Sequence, residues 1–175
     1  MRARVRGARG QAGFSLIELV VVVGLVSLVL GMLALGVRRA SDAFQLRRAA
    51  SLVTAELRRA HAAAVSAGAV YTVELVVGSP GGLRVYRRIV EPDGSEQWLL
   101  ERTVGSGEWP SSVTVDGTDS TVAACTTPGD PSNKCVTFQP LGFAVSGGDV
   151  RLVSRSGVGV GVQVTAATGR VSVVP

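Results

Sequence analysis

Residues 14–37 read FSLIELVVVVGLVSLVLGMLALGV, and Glu18 is the single charge among them. A helical run of this length crosses a bilayer, because about 20 residues rising ~1.5 Å each cover the hydrocarbon core. The rest of the chain is an ordinary globular mixture, so its 46% hydrophobic content is unevenly placed. On the N-terminal side, residues 1–13, MRARVRGARGQAG, are short, basic and free of acid. The formal net charge is +5, yet of 18 Lys and Arg four (Arg2, Arg4, Arg6, Arg9) lie in this leader, leaving 14 against 13 Asp and Glu. The basicity therefore belongs mostly to a targeting segment, not to a nucleic-acid surface.

Beyond the apolar run the helical character continues. Residues 38–67 are rich in Ala, Leu, Arg and Glu and contain neither proline nor glycine. Leu46, Ala50, Val53, Leu57, Ala60 and Ala64 recur at steps of three and four, marking one apolar face, while Arg47, Arg48, Glu56, Arg58 and Arg59 fall largely elsewhere. One helix is predicted from about 15 to 66, its first half in lipid, its second half on a domain, with Gly68 as the stop. After Gly68 the period changes to that of strands. Residues 70–77, 83–90, 97–104 and 112–115 are divided by SPGG, EPDG and GSGEWPS, and Arg87 and Arg88 are expected near a sheet edge. Residues 118–134 read as a loop, and 136–139, 150–154, 158–165 and 170–174 complete a β-rich C-terminus. The expected fold is α+β: a leader (1–13), a transmembrane half-helix (14–37), an amphipathic half-helix (38–67) and an antiparallel β-sheet domain (68–175) packed on it.

Two cysteines, Cys125 and Cys135, are too few for a disulfide scaffold, and their spacing with one histidine, His61, fits no structural zinc site. A single disulfide closing a short loop is the better reading and implies an oxidising compartment. The sequence contains no phosphate loop, metal cluster or paired catalytic acids, and His61 sits among alanines with no triad pattern. No cofactor, metal or enzymatic activity is expected. Trp98 and Trp109 read as core or loop anchors. Arg84, Arg87, Arg88, Arg151, Arg155 and Arg170 would make a basic strip on the sheet, with solvated strand edges as the simpler reading.

Gly13-Phe14-Ser15-Leu16-Ile17-Glu18, directly after the arginines, closely resembles the prepilin signature of type IV pilins and type II secretion pseudopilins. The resemblance implies that a membrane-embedded prepilin peptidase cuts between Gly13 and Phe14 and that Phe14 becomes the N-methylated first residue. It also implies that Glu18 serves assembly by pairing with the free amine of a neighbouring subunit's helix. A carboxylate in hydrocarbon costs about 2.5–3.5 kcal/mol at mid-membrane, so a partner that forms only on docking turns a penalty into a recognition signal. An ordinary secretory signal would instead be cut after the apolar stretch.

The stretch RRAASLVTAELRRAHAAAVSAG resembles the helix of the GspH/FimT group, and residues 136–142 (VTFQPLG) and 168–171 (TGRV) resemble its C-terminal turn and closing strand. The resemblance implies a pilin-like lollipop in the bacterial inner membrane, single-pass, with the C-terminal domain periplasmic. Its implied role is a minor pseudopilin of a type II secretion pseudopilus, with other pilins and secreted cargo as partners. The alternative is a minor pilin of a type IV pilus or competence system that holds DNA with Arg151, Arg155 and Arg170. Ser172 stands where competence-type members carry a second arginine, which weakens that alternative.

Overall fold

A computed structural model describes residues 15–105, 107–126 and 128–174, with the side chains of residues 33–39 outside the description. The chain divides into two units, Met1–Arg38 and Arg39–Pro175. Helix α1, Leu16–Ala67, contributes residues to both.

In the first unit, α1 begins after Ser15, with Leu19 N–H donating to Ser15 O at 3.2 Å and Glu18 in the first turn. Ser15 and Glu18 have the spacing of a capping box, and an acid in the first turn suits the helix dipole. From Leu16 to Met32 every described side chain is exposed, including Leu16 at 82% and Val26 at 51%. Gly24 and Gly31 interrupt the apolar run without interrupting the helix. Among the described residues no helix is long and apolar enough to cross a membrane.

In the second unit the helix behaves as an amphipathic element. Leu46, Ala50, Val53, Leu57, Ala60 and Ala64 are all buried. The helix ends where glycine permits it: Gly68 has φ +60°, and Ala69 N–H reaches back to Ala64 O at 3.3 Å, the six-to-one bond of a Schellman cap. Eight strands follow: β1 Tyr71–Val76, β2 Gly82–Val90, β3 Glu96–Val104, β4 Val113–Asp116, β5 Lys134–Phe138, β6 Gly148–Ser154, β7 Gly159–Val164 and β8 Val171–Val174.

These strands form the expected antiparallel β-sheet domain, divided into two four-stranded sheets, β3-β2-β1-β5 and β4-β6-β7-β8. The physical reason is that β5 returns to pair with β1 (Val73 opposite Val136), leaving β4 to pair with β6 (Val115 opposite Leu152). Arg87 and Arg88 lie on β2, an interior strand, and not at a sheet edge. One core joins the helix face to both sheets through Val73, Leu83, Phe138, Val150, Leu152 and Val162, all fully buried.

Candidate functional site

Gly13 and Phe14 lie outside the described residues. Glu18 is exposed and lines a shallow apolar groove of about 270 Å³ with Leu19, Val22 and Val23. Among the described residues it meets no cation. Further along, Ser27 Oγ donates to Val23 O at 2.8 Å, so its hydroxyl is satisfied within its own helix.

The second unit holds three polar constellations. The first is built around His61. Its Nε2–H donates to Gly142 O at 2.8 Å, and its ring packs on Phe138 with centroids 5.4 Å apart. Gly169, at φ +61°, comes so close that an added Cβ would lie 2.6 Å from His61 Cδ2 and 2.8 Å from Gly142 O. The helix, the VTFQPLG turn and the TGRV turn, three separate stretches of sequence, therefore converge on one imidazole. This is a fastening and shows no nucleophile or acid beside the ring.

The second constellation is Glu74, on β1 and fully buried. Its Oε1 accepts from Asp130 N–H at 2.9 Å and Asn133 Nδ2 at 2.7 Å; its Oε2 accepts from the Tyr86 hydroxyl at 3.0 Å and Arg84 at 3.3 Å. Burial alone would push this carboxyl up, but those four donors outweigh it and hold it below the ordinary carboxylate range. Burial and the neighbouring Glu74 push the Tyr86 hydroxyl up. Cys125 and Cys135 are bonded to each other, Cα atoms 4.8 Å apart, with Cys135 opposite Glu74 in the β1–β5 register. Asn133 also accepts from Val77 N–H at 2.9 Å, so the cysteine loop is closed onto β5 by the disulfide and tied to β1 by the carboxylate. A lone acid in the apolar string YTVELVV was the available signal, and sequence reasoning passed over it.

The arginines form the third. The six arginines weighed as a basic strip lie on different sheets, and four of them meet acids. Arg84 pairs with Glu74, Arg87 with Glu101 at 3.0 Å, Arg88 with Glu96 at 3.0 Å and Arg151 with Asp119 at 3.6 Å. Arg155 and Arg170 are exposed, in the segments that follow β6 and precede β8. Trp109 is buried and donates to Val113 O at 2.8 Å, whereas Trp98 is half-exposed on β3. No group of side chains suited to a metal occurs among the described residues.

With this geometry in place, residues 8–34 match the Prokaryotic N-terminal methylation motif, a prepilin-type signal, and they run into an N-terminal helix that is followed by antiparallel sheets. The fold is similar to the crystal structure of the type IV minor pilin FimU from Pseudomonas aeruginosa, with a TM-score of 0.52, at 17% identity, over 77% of this chain and 92% of that one. No curated protein matches the sequence significantly.

Proposed function

We propose that the chain is a minor pilin-type subunit, cut by a prepilin peptidase between Gly13 and Phe14 and methylated on Phe14. Residues 14–37 anchor it in the bacterial inner membrane, residues 68–175 lie in the periplasm, and α1 builds it into a filament with other pilins. The observation that carries this is the methylation motif over residues 8–34, running into a helix whose described side chains from Leu16 to Met32 are exposed on every face and, Glu18 and Ser27 apart, apolar. Such a helix needs lipid or neighbouring helices around it. The described stretch Leu16–Met32 measures about 25 Å at ~1.5 Å per residue, against a hydrocarbon core of ~30 Å. Residues 33–37 would supply the remainder.

Glu18, exposed in this apolar setting, is the assembly residue, paired with the free amine of a neighbouring helix. Intact mass and N-terminal sequencing of protein from native membranes tests processing, and a chain retaining residues 1–13 beside an active prepilin peptidase rejects the reading. Glu18→Ala is expected to leave processing intact and to impair incorporation into filaments; normal assembly by that variant rejects the role given to Glu18.

The machine served is either a type II secretion pseudopilus or a type IV pilus. The likeness to a minor pilin of a type IV pilus supports the pilus at least as well as the pseudopilus. A competence role with DNA on Arg151, Arg155 and Arg170 has less support, because Asp119 partly neutralises Arg151. A mobility-shift assay across salt concentrations tests it, since phosphate contacts are salt-sensitive.

A further inference from the structure

Two four-stranded sheets have four edges, and the fold treats them unequally. The outer side of β5 is covered by bridges from Ala124 to Lys134 and from Ala144 to Phe138, and that of β4 by a bridge from Gly78 to Val115. Among the described residues, β3 and β8 carry no such cover. An uncovered edge presents a row of N–H and C=O groups that another strand can pair with.

The direction of those groups follows from the ladders. Thr165 N–H donates to Arg170 O, so two-residue alternation turns the backbone groups of Val171 and Val173 away from β7. Arg58 marks that outward side by donating to Val171 O at 2.9 Å. Beside it runs an open groove of about 630 Å³ between α1 and β8, lined by Arg47, Ala50, Ser51, Thr54, Arg58 and Val173 among others, with two guanidiniums and no carboxylate. The Thr54 hydroxyl is buried there with no hydrogen-bond partner among the described residues.

The other open edge begins at an acidic hairpin tip. Glu91 N–H bonds to Ser95 O and Arg88 N–H bonds to Val70 O, so Glu96, Trp98 and Leu100 turn their backbone groups outward from β2. β3 is exposed along most of its length, with Leu99 at 45% and Leu100 at 49%. Its hairpin tip, EPDGSE over residues 91–96, carries Glu91, Asp93 and Glu96, of which Glu96 is paired with Arg88 at 3.0 Å.

We propose that β3 of one copy adds to β8 of a second copy, placing the acidic hairpin tip against Arg47 and Arg58. Arg58, which guards the edge in the single chain, exchanges its bond to Val171 O for a carboxylate on docking. The Thr54 hydroxyl gains a backbone partner. The contact is heterologous, so each copy keeps one unused edge and repetition gives an open row of subunits. It needs only the second unit and stands whether or not the N-terminal processing occurs.

Sedimentation of the full chain at low salt, in detergent micelles holding one copy each, tests the proposal by complementation. Trp98→Pro removes the donor edge and Val173→Pro the acceptor edge; each deletes an outward N–H that the native ladders do not use, the position at which edge strands accept proline. The expected result is salt-sensitive association of the unaltered chain, monomers for each variant alone, and a 1:1 dimer when the two variants are mixed. Arg58→Glu, which leaves both ladders intact, is expected to weaken association by at least about tenfold through like-charge repulsion. An unaltered chain that stays monomeric overturns the proposal, as does association that survives Arg58→Glu or a variant mixture that stays monomeric. A monomeric result together with normal filament incorporation in cells would leave the subunit reading standing and remove only this contact.

Discussion

Two stretches of one helix obey different rules. From Leu16 to Met32 the side chains, Glu18 and Ser27 apart, are apolar in every direction and every one is exposed, whereas from Leu46 to Ala64 apolar residues keep to one face and that face is buried. The second stretch is completed by its own chain, because two sheets supply the apolar surface that Val53 and Leu57 need. Among the described residues the first meets no partner within its own unit, and the proposed function surrounds it with lipid or with other subunits. Hydrophobicity alone would not tell the two apart; its angular distribution does. The lesson is that a uniformly apolar helix signals what surrounds the protein, and a one-sided helix signals what the protein builds for itself.

The sharpest way to strengthen that contrast is Leu57→Ala. Leu57 is fully buried, and removing it should cost the second unit about 3–4 kcal/mol, read as a fall in the unfolding midpoint in denaturant. A loss under about 1 kcal/mol would show that the helix face is not part of the core. Reducing the disulfide removes a different fastening. The cysteines are 10 residues apart, and closing so short a loop contributes about 3 kcal/mol on chain entropy. The reduced protein should still fold, since Glu74 also holds the loop. Collapse of near-ultraviolet circular dichroism on reduction alone would show that the carboxylate does not.

Glu74→Gln comes next, at about 2 kcal/mol near neutral pH, because charge-assisted bonds from Arg84, Tyr86, Asp130 and Asn133 are weakened within a dry site. The sign with pH follows from the depressed pKa. The carboxylate stabilises the fold above its unfolded pKa, and that contribution is lost as pH falls through the lower folded value. The stability gap between the unaltered chain and Glu74→Gln should therefore narrow on acidification below the ordinary carboxylate range. A gap independent of pH would mean that shape, and not charge, is what Glu74 supplies.

Much of this was legible in the residues, and the part that was not shares a cause. The helix face from Leu46 to Ala64 and the cap at Gly68 are local patterns, as are the eight strands, which fall close to the segments set off by SPGG, EPDG and TTPGDPSN. Pairing is not local. Nothing in the order of the strands says that β5 pairs with β1 and strands the shorter β4 on a second sheet. The same limit hid the partners of the arginines, so that Arg84, Arg87 and Arg88 read as solvated strand edges when each has an acid beside it. Glu74 was overlooked because one acid in an otherwise apolar strand looks like solvent-facing alternation, and its donors lie on β2 and the cysteine loop. At the N-terminus, the roles proposed for Gly13, Phe14 and Glu18 rest on the motif, since the chemistry proposed for them belongs to other molecules.

A smaller effect is expected at the junction around His61. His61→Ala removes one bond to Gly142 O and should cost about 1 kcal/mol, while leaving both turns formed. Gly169→Ala should cost more, about 2 kcal/mol, because φ +61° disfavours any side chain and the new methyl would run into the imidazole. Combining the two tests the reading, since deleting the ring removes half of the clash. The double variant should be less destabilised than the sum of the single ones, and strict additivity would show that His61 and Gly169 do not share a site.

The smallest expected effect bears most directly on the two halves of the helix. Leu25 is 61% exposed, and Leu25→Ala should change the unfolding of the second unit by less than about 0.5 kcal/mol. A substitution chemically identical to Leu57→Ala would then differ from it several-fold in effect, for no reason except what each leucine touches. If Leu25→Ala destabilised the domain as much as Leu57→Ala does, α1 would have to act as a single stabilising element, and the division at Arg38 would lose its meaning. If instead it left the domain intact and reduced retention in membranes or filaments, the cost would have appeared where the partner is: outside the chain.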